Sequence, residues 1–193
     1  TVCARSPSVA LVIVTFRSAR LLPDLFRSLP EAMAGIPDYR VVIVDNASGD
    51  DTLAVARELA PGANVIALES NRGYAAGVNA GIKAAHALDA VLVLNPDIRL
   101  GPGSGAALLR RLQQPGVGIA VPRILGEDGE LQHSLHRSPS VLRAWGEALL
   151  GGKRAGRIPL LGETIMDNTS YSRPTRAAWA SGAAMMVSTA CGR

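Results

Sequence analysis

Val91-Leu92-Val93-Leu94-Asn95-Pro96-Asp97-Ile98 is the stretch on which the fold turns. Four apolar residues in succession, without the alternation of a half-exposed strand, predict a strand buried on both faces. Pro96 cannot donate to a sheet ladder, so the strand is expected to end near Asn95. A carboxylate, Asp97, follows at once. In an open parallel sheet, ligands bind outside the carboxyl ends of the strands. A cation and the phosphates it carries could be held there.

Working outward, Val9 to Val14 is a second doubly buried strand, ending in Thr15-Phe16-Arg17-Ser18. Leu21, Leu22, Leu25, Phe26 and Leu29 recur at helical spacing, which predicts a helix over 19–29. Arg40 to Asp45 is another buried strand closed by a carboxylate. Asn46-Ala47-Ser48-Gly49-Asp50 is rich in turn formers, and Asp50 or Asp51 can cap a helix running to about Leu59. A short strand at 64–68, a loop at 69–73 and an Ala/Gly-rich helix at 74–87 complete an alternation of strand and helix. That order predicts an α/β fold, a Rossmann-like, mostly parallel sheet with helices on both faces. Farther on, a helix at 105–112, a strand at 117–121, a hairpin about Asp128-Gly129, a helix at 141–150 and a loop region to Pro174 are expected. Ala177 to Val187 reads as a strand and the start of another element.

Composition narrows the functions. Aromatics at 4% argue against a stacking platform for single-stranded nucleic acid. No run of five Lys or Arg occurs, so no nucleic-acid partner is expected. The net charge of +4 suits an anionic small ligand or contact with anionic lipid. Cys3 and Cys191 are too few for a disulfide framework and match no zinc spacing; free thiols in a reducing cytoplasm are expected. No signal peptide is read at the amino end, and no 18-residue apolar run spans a membrane.

Three strand ends deliver polar groups to one edge: Thr15, Phe16 and Arg17; Asp45; Asn95 and Asp97. Asp45 suits a base or ribose, because a carboxylate accepts the donors a nucleoside offers, although a turn former accounts for it equally well. Asp97 suits Mg²⁺ or Mn²⁺, which take carboxylate oxygens together with substrate phosphates. Arg72, beside Gly73, suits a charge-assisted bond to a ligand oxygen or phosphate. Gly73, Gly77 and Gly81 allow close backbone approach, to a ligand or to a strand. His133-x-x-His136, in a hairpin region, is a weak metal pair. Trp145 fits a core or interface anchor better than a sugar platform, and Trp179 is even between core and pocket. A nicotinamide-binding domain would carry glycines after the first strand, and Thr15-Phe16-Arg17-Ser18-Ala19-Arg20 has none. The same absence of a Gly-rich phosphate loop weighs against a nucleotidyltransferase.

Four blocks together resemble family 2 glycosyltransferases with the GT-A fold: Val12–Arg17, Val44–Ser48, Asn71-Arg72-Gly73-Tyr74-Ala75-Ala76-Gly77 with Asn79 and Gly81, and Leu94-Asn95-Pro96-Asp97. The Asn-Pro-Asp form is closest to the bacterial rhamnosyltransferase-like branch. Arg123-Ile124-Leu125, Asp128-Gly129 and Trp179-x-Ser181-Gly182-Ala183 extend the likeness to about 187. The resemblance implies transfer of a sugar, rhamnose in that branch, from a dTDP- or UDP-linked donor, with inversion, to a saccharide or lipid-linked acceptor in cell-surface polysaccharide synthesis. It implies a cytoplasmic protein with peripheral contact at the inner membrane face. It divides the chain into a donor half, 1–125, and the start of an acceptor half, 126–193.

Carried over, Thr15, Phe16 and Arg17 line the nucleotide pocket, Asp45 holds the base, and Arg72 and Gly73 lie against the nucleotide. Asn95-Pro96-Asp97 stands where the family's Asp-x-Asp element stands, with Asp97 as the remaining metal ligand. Trp179, Gly182 and Ala183 fall on the acceptor side. The family's general base lies in a Glu-Asp-x-Asp-like segment that would come after Arg193, so this chain is expected to be a fragment. The competing reading is a catalytically silent sugar-nucleotide-binding module.

Overall fold

The computed structural model describes residues 7–85 and 88–189. Cys3 and Cys191 lie outside the described residues, as does the end of the helix expected to reach Ala87. In chain order the elements are β1 (Val9–Thr15), α1 (Leu22–Ala32), β2 (Tyr39–Asp45), α2 (Thr52–Leu59), β3 (Asn64–Ala67), α3 (Tyr74–Ala84), β4 (Ala90–Leu94), α4 (Ser104–Leu112) and β5 (Ile119–Ala120). They continue with β6 (Ile124–Leu125), β7 (Leu131–Gln132), β8 (Leu135–His136), α5 (Val141–Leu150), α6 (Gly152–Ala155), α7 (Thr169–Ser172), β9 (Trp179–Ala180) and β10 (Ala184–Ser188).

Two compact units result. One holds the residues up to Pro122 together with those from Gly182; the other is Arg123–Ser181. The chain leaves the first unit after Pro122, and its last segment belongs to the first unit again. Gly182 turns it back, and β10 pairs antiparallel with β4 and β5.

In the first unit the sheet order is β3-β2-β1-β4-β10-β5, with β3, β2, β1 and β4 parallel. This confirms the α/β reading. Register places Thr15 beside Asp45, Asp45 beside Ala67 and Ile13 beside Leu94, so three strands end level. Side chains alternate across a strand. Val9, Leu11 and Ile13 thus join Leu92 and Leu94 in a core beneath α1, α2 and α4, while Ala10, Val12 and Val14 join Val91 and Val93 beneath α3. Both faces are covered, which is why these strands are apolar at every position.

The helix expected over 19–29 begins later, at Leu22, and reaches Ala32. Pro23 suits its first turn, where an N–H would have no helical partner. In the second unit the stretch expected to be loop holds the single turns α6 and α7, too short to leave a periodic signal.

The glycines of α3 separate into two kinds. A Cβ on Gly77 would sit 2.6 Å from Val14 Cγ1, and one on Gly81 would sit 2.3 Å from Val12 Cγ1. These two bring the helix onto β1. Gly73 has open space around it but a φ of +83°, a conformation that disfavours any side chain. Gly81→Ala must push α3 off a stiff valine in a full core, and is expected to lower stability by about 1–3 kcal/mol. Gly62→Ala, where nothing lies within 4 Å, should be nearly neutral in the same thermal unfolding measurement.

Candidate functional site

The carboxyl edge of the parallel strands is organised by one carboxylate. Asp45 is 2% exposed and Thr15 is fully buried. Thr15 Oγ1 donates to Asp45 Oδ1 at 2.9 Å, the Ser48 amide donates to Oδ2 at 3.0 Å, and the Ser48 hydroxyl donates to Oδ1. Ser48 Oγ in turn accepts the Arg17 amide at 3.0 Å, and Thr52 Oγ1 accepts the Ser18 amide at 2.9 Å. The loop after β1 is thereby tied to the loop after β2. Two non-glycine residues there hold left-handed backbone, Arg17 with φ of 52° and Ala47 with φ of 59°. Such conformations persist where the surroundings over-determine them.

The sequence-predicted roles therefore divide. Thr15 presents no surface, and Asp45 faces inward, its oxygens already accepting three donors. Phe16 and Arg17 are the exposed members of the group. The Arg17 guanidinium lies 5.3 Å from the Phe16 ring centroid, so the pair offers an aromatic face and a cation together.

A second set of hydrogen bonds fixes the loop before α3. Asn46, nearly buried, donates from Nδ2 to Asn71 Oδ1 at 2.9 Å and accepts the Arg72 amide on Oδ1 at 3.0 Å. Asn71 Oδ1 also accepts the Gly73 amide at 2.9 Å. Arg72 is exposed at the mouth of α3. Helix amino-terminal amides favour an anion here.

At the end of β4 the Asn95 amide donates to the Ala183 carbonyl at 2.9 Å. Its Oδ1 is buried and accepts nothing. A buried acceptor left open costs free energy, and such atoms mark sites completed by a further group. Asp97 is exposed two residues on. Tyr74, the first residue of α3, donates its hydroxyl to the Gly182 carbonyl at 3.2 Å. Burial, and then the negative charge of Asp97, raise this phenol above its ordinary value of 10.0. It stays a donor across the physiological range. Gly182 and Ala183 thus stand at the same edge as Asn95 and Asp97.

The second unit has a separate constellation. Trp179 stacks on His136, with centroids 3.9 Å apart and planes 12° apart, and its Nε1 donates to the Arg137 carbonyl at 3.1 Å. His133 Nε2 instead meets Asn168 Oδ1 at 2.9 Å, and its ring packs edge-on against Tyr171. The two histidines have different partners. Among the described residues no group of three or more His, Cys, Asp or Glu could hold a metal. Trp145, expected in a core or interface, is 63% exposed.

Ser48, Asn46 and Asn71 are the residues that sequence reading passed over as turn formers. The signal was present in Asp45-x-x-Ser48, the spacing at which an Asp carboxylate caps the turn that follows it. Asp45→Ala strands three buried donors at about 1–3 kcal/mol for each unsatisfied group. A large fall in melting temperature is expected, and Asp45→Asn, which keeps an acceptor, should recover part of it.

Comparison with known proteins identifies the family and the fold. The model for Glycosyl transferase family 2 matches residues 10–180. An N-acetylglucosaminyl-diphospho-decaprenol L-rhamnosyltransferase of Mycobacterium tuberculosis is 31% identical over 152 residues, covering 73% of this chain and 49% of the relative. The succinoglycan biosynthesis protein ExoO of Rhizobium meliloti is 32% identical over 121 residues, 61% of this chain and 33% of that one. This chain spans about half the length of the first relative or less of each. Among solved structures, S. aureus TarS 1-349 superposes with a TM-score of 0.56 at 19% identity, over 68% of this chain and 41% of that one. The mannosyltransferase PcManGT of Pyrobaculum calidifontis, in complex with GDP-Man and Mn²⁺, gives 0.53 at 24% identity, over 64% and 37%. At these identities the structures establish a shared fold. With a family match across most of its length on a sheet whose ends converge as described, the chain belongs to glycosyl transferase family 2.

Proposed function

We propose that this chain is the donor-binding part of an inverting glycosyltransferase. In this reading it takes a sugar from a nucleoside diphosphate and moves it to a saccharide or lipid-linked acceptor in cell-surface polysaccharide synthesis. The observation that supports the reading is that the parallel strands deliver Arg17 after β1 and Asn95 and Asp97 after β4 at their carboxyl ends, with the Arg72 amide tied to Asn46 just past β2. A nucleoside diphosphate needs an aromatic or polar wall for its base, cations for its phosphates, and a hard-metal ligand. Phe16 and Arg17 supply the first, Arg72 the second and Asp97 the third. Rhamnose as the sugar is favoured by the relative named as a rhamnosyltransferase acting on a decaprenol-linked sugar, and dTDP or UDP as its carrier is part of the same proposal.

The residues fit a divalent cation in one particular way. A single carboxylate and an unpartnered amide oxygen are too few for an all-protein cage, but they suit Mg²⁺ or Mn²⁺, which keep waters and share substrate phosphates. When bound, the ion would neutralise charge on the departing diphosphate. Asp97 would be its anionic ligand and Asn95 its neutral one. Arg72 holds the same diphosphate without a metal, through a charge-assisted bond. Asp45 acts at one remove: it fixes the loops that carry Phe16, Arg17 and, through Asn46, Arg72. The acceptor would approach past Gly182 and Ala183, whose carbonyls are held by Tyr74 and Asn95; in the second unit Trp179 is proposed by itself as an acceptor-side residue. None of these residues is assigned as the general base. In this reading the protein works in the cytoplasm, in peripheral contact with the inner membrane face.

Calorimetric titration with UDP and dTDP, with and without Mn²⁺, tests the reading. Binding of at least one nucleotide is expected, strengthened by Mn²⁺. Asp97→Ala should remove the Mn²⁺ enhancement and leave metal-free binding in place. Arg72→Ala should weaken binding about tenfold or more in both conditions, the loss of one charge-assisted contact. No binding of either nucleotide, or equal effects of both substitutions under both conditions, would contradict the assignment.

A further inference from the structure

Helix α5 is amphipathic in the inverted sense. Val141, Leu142, Ala144, Trp145, Ala148 and Leu149 are all exposed, Val141 at 76% and Leu149 at 75%. At helical spacing they form one continuous stripe. The opposite face, which packs on the rest of its own unit, carries Arg143, Gly146 and Glu147. A Cβ on Gly146 would meet the Leu161 carbonyl oxygen at 2.3 Å. Arg143 Nε donates to the Pro159 carbonyl at 3.2 Å, and its Nη1 donates to the Ser138 carbonyl. Glu147 Oε1 accepts the Glu163 amide at 2.8 Å. Contact on one side and three polar anchors fix which face looks out, so the apolar stripe is presented rather than misplaced.

The chain leaving this helix is cationic and apolar at once. Lys153, Arg154 and Arg157 are exposed, as are Ile158 and Leu160, and no acidic residue falls between Ala148 and Gly162. A protein partner dry enough to cover Trp145 and Leu149 would disfavour lysine at its centre. A bilayer surface wants both: apolar side chains at the acyl boundary, a tryptophan at headgroup depth, and cations against anionic headgroups. Among the described residues no helix is long and apolar enough to cross a membrane, so α5 could lie on a bilayer and not span it.

We propose that α5 and the segment Lys153–Leu160 form a docking surface for an anionic phospholipid bilayer, with the helix in the plane of the interface. The surface deepens the reading of a lipid-linked acceptor, and rests on that reading only for its purpose. Its test is independent of nucleotide. The chain is mixed with vesicles of phosphatidylcholine containing phosphatidylglycerol, or of phosphatidylcholine alone, and sedimented. Emission from a Trp179→Phe variant reports Trp145 alone. Cosedimentation with the anionic vesicles and a blue shift of Trp145 are expected, both reduced by added salt. Trp145→Glu with Leu149→Glu should reduce partitioning by about tenfold or more. Lys153→Gln, Arg154→Gln and Arg157→Gln together should reduce anionic binding to the level of neutral vesicles. UDP binding should stay unchanged in both, which separates this surface from the donor site. The proposal is overturned by no partitioning, by partitioning that neither set of substitutions reduces, or by a dimer in light scattering that the glutamates dissociate.

Discussion

A buried carboxylate, paired with no basic side chain among the described residues, holds the site together. Asp45 ends β2 with almost no exposure, and its oxygens accept from hydroxyls and an amide: Thr15, Ser48 and the Ser48 backbone. Those hydrogen bonds offset the cost of burying a polar group. The consequence is positional. Through Ser48 the carboxylate fixes the Arg17 backbone, and the neighbouring Asn46 fixes Arg72. Two loops that leave different strands are thereby held at one edge before any ligand arrives.

The sheet makes this economical. β1 and β4 are buried on both faces, so their register is locked by side chains on each side, and β10 returns antiparallel to close on β4. Level strand ends then follow from packing alone. The loops, which have little apolar content of their own, need only a few polar ties to hold one arrangement. Asn95 illustrates the division: its backbone completes the sheet by bonding Ala183, while its side-chain oxygen is left open at the edge.

Much of the fold was legible because the informative signals were local. Uninterrupted runs such as Val9–Val14 and Val91–Leu94 announced doubly buried strands, and Asp128-Gly129 announced the β6–β7 hairpin. The pairing of β10 was not legible, since a strand's neighbours depend on where the chain returns and not on its composition. The sequence left Asp45 open between holding a base and forming a turn, because a strand-end carboxylate looks alike whether it faces out or in; only its partners, Thr15 among them, distinguish the two. Gly77 and Gly81 posed the same ambiguity with Gly73, and distances to Val14 and Val12 resolve it. The sequence placed a helix at 141–150 but not its orientation: the stripe of Leu, Val and Trp faces out, and Gly146, between the half-buried Arg143 and Glu147, faces in.

A crystal structure of the chain with UDP and Mn²⁺ is the most direct test of the donor site. The diphosphate is expected between Arg72 and Asp97, with the manganese anomalous peak within coordination distance of the Asp97 carboxylate and the base beside Phe16 and Arg17. A nucleotide bound at the amino ends of the strands, in the groove beside Tyr39 and Asn64, or a manganese peak away from Asp97, would contradict it.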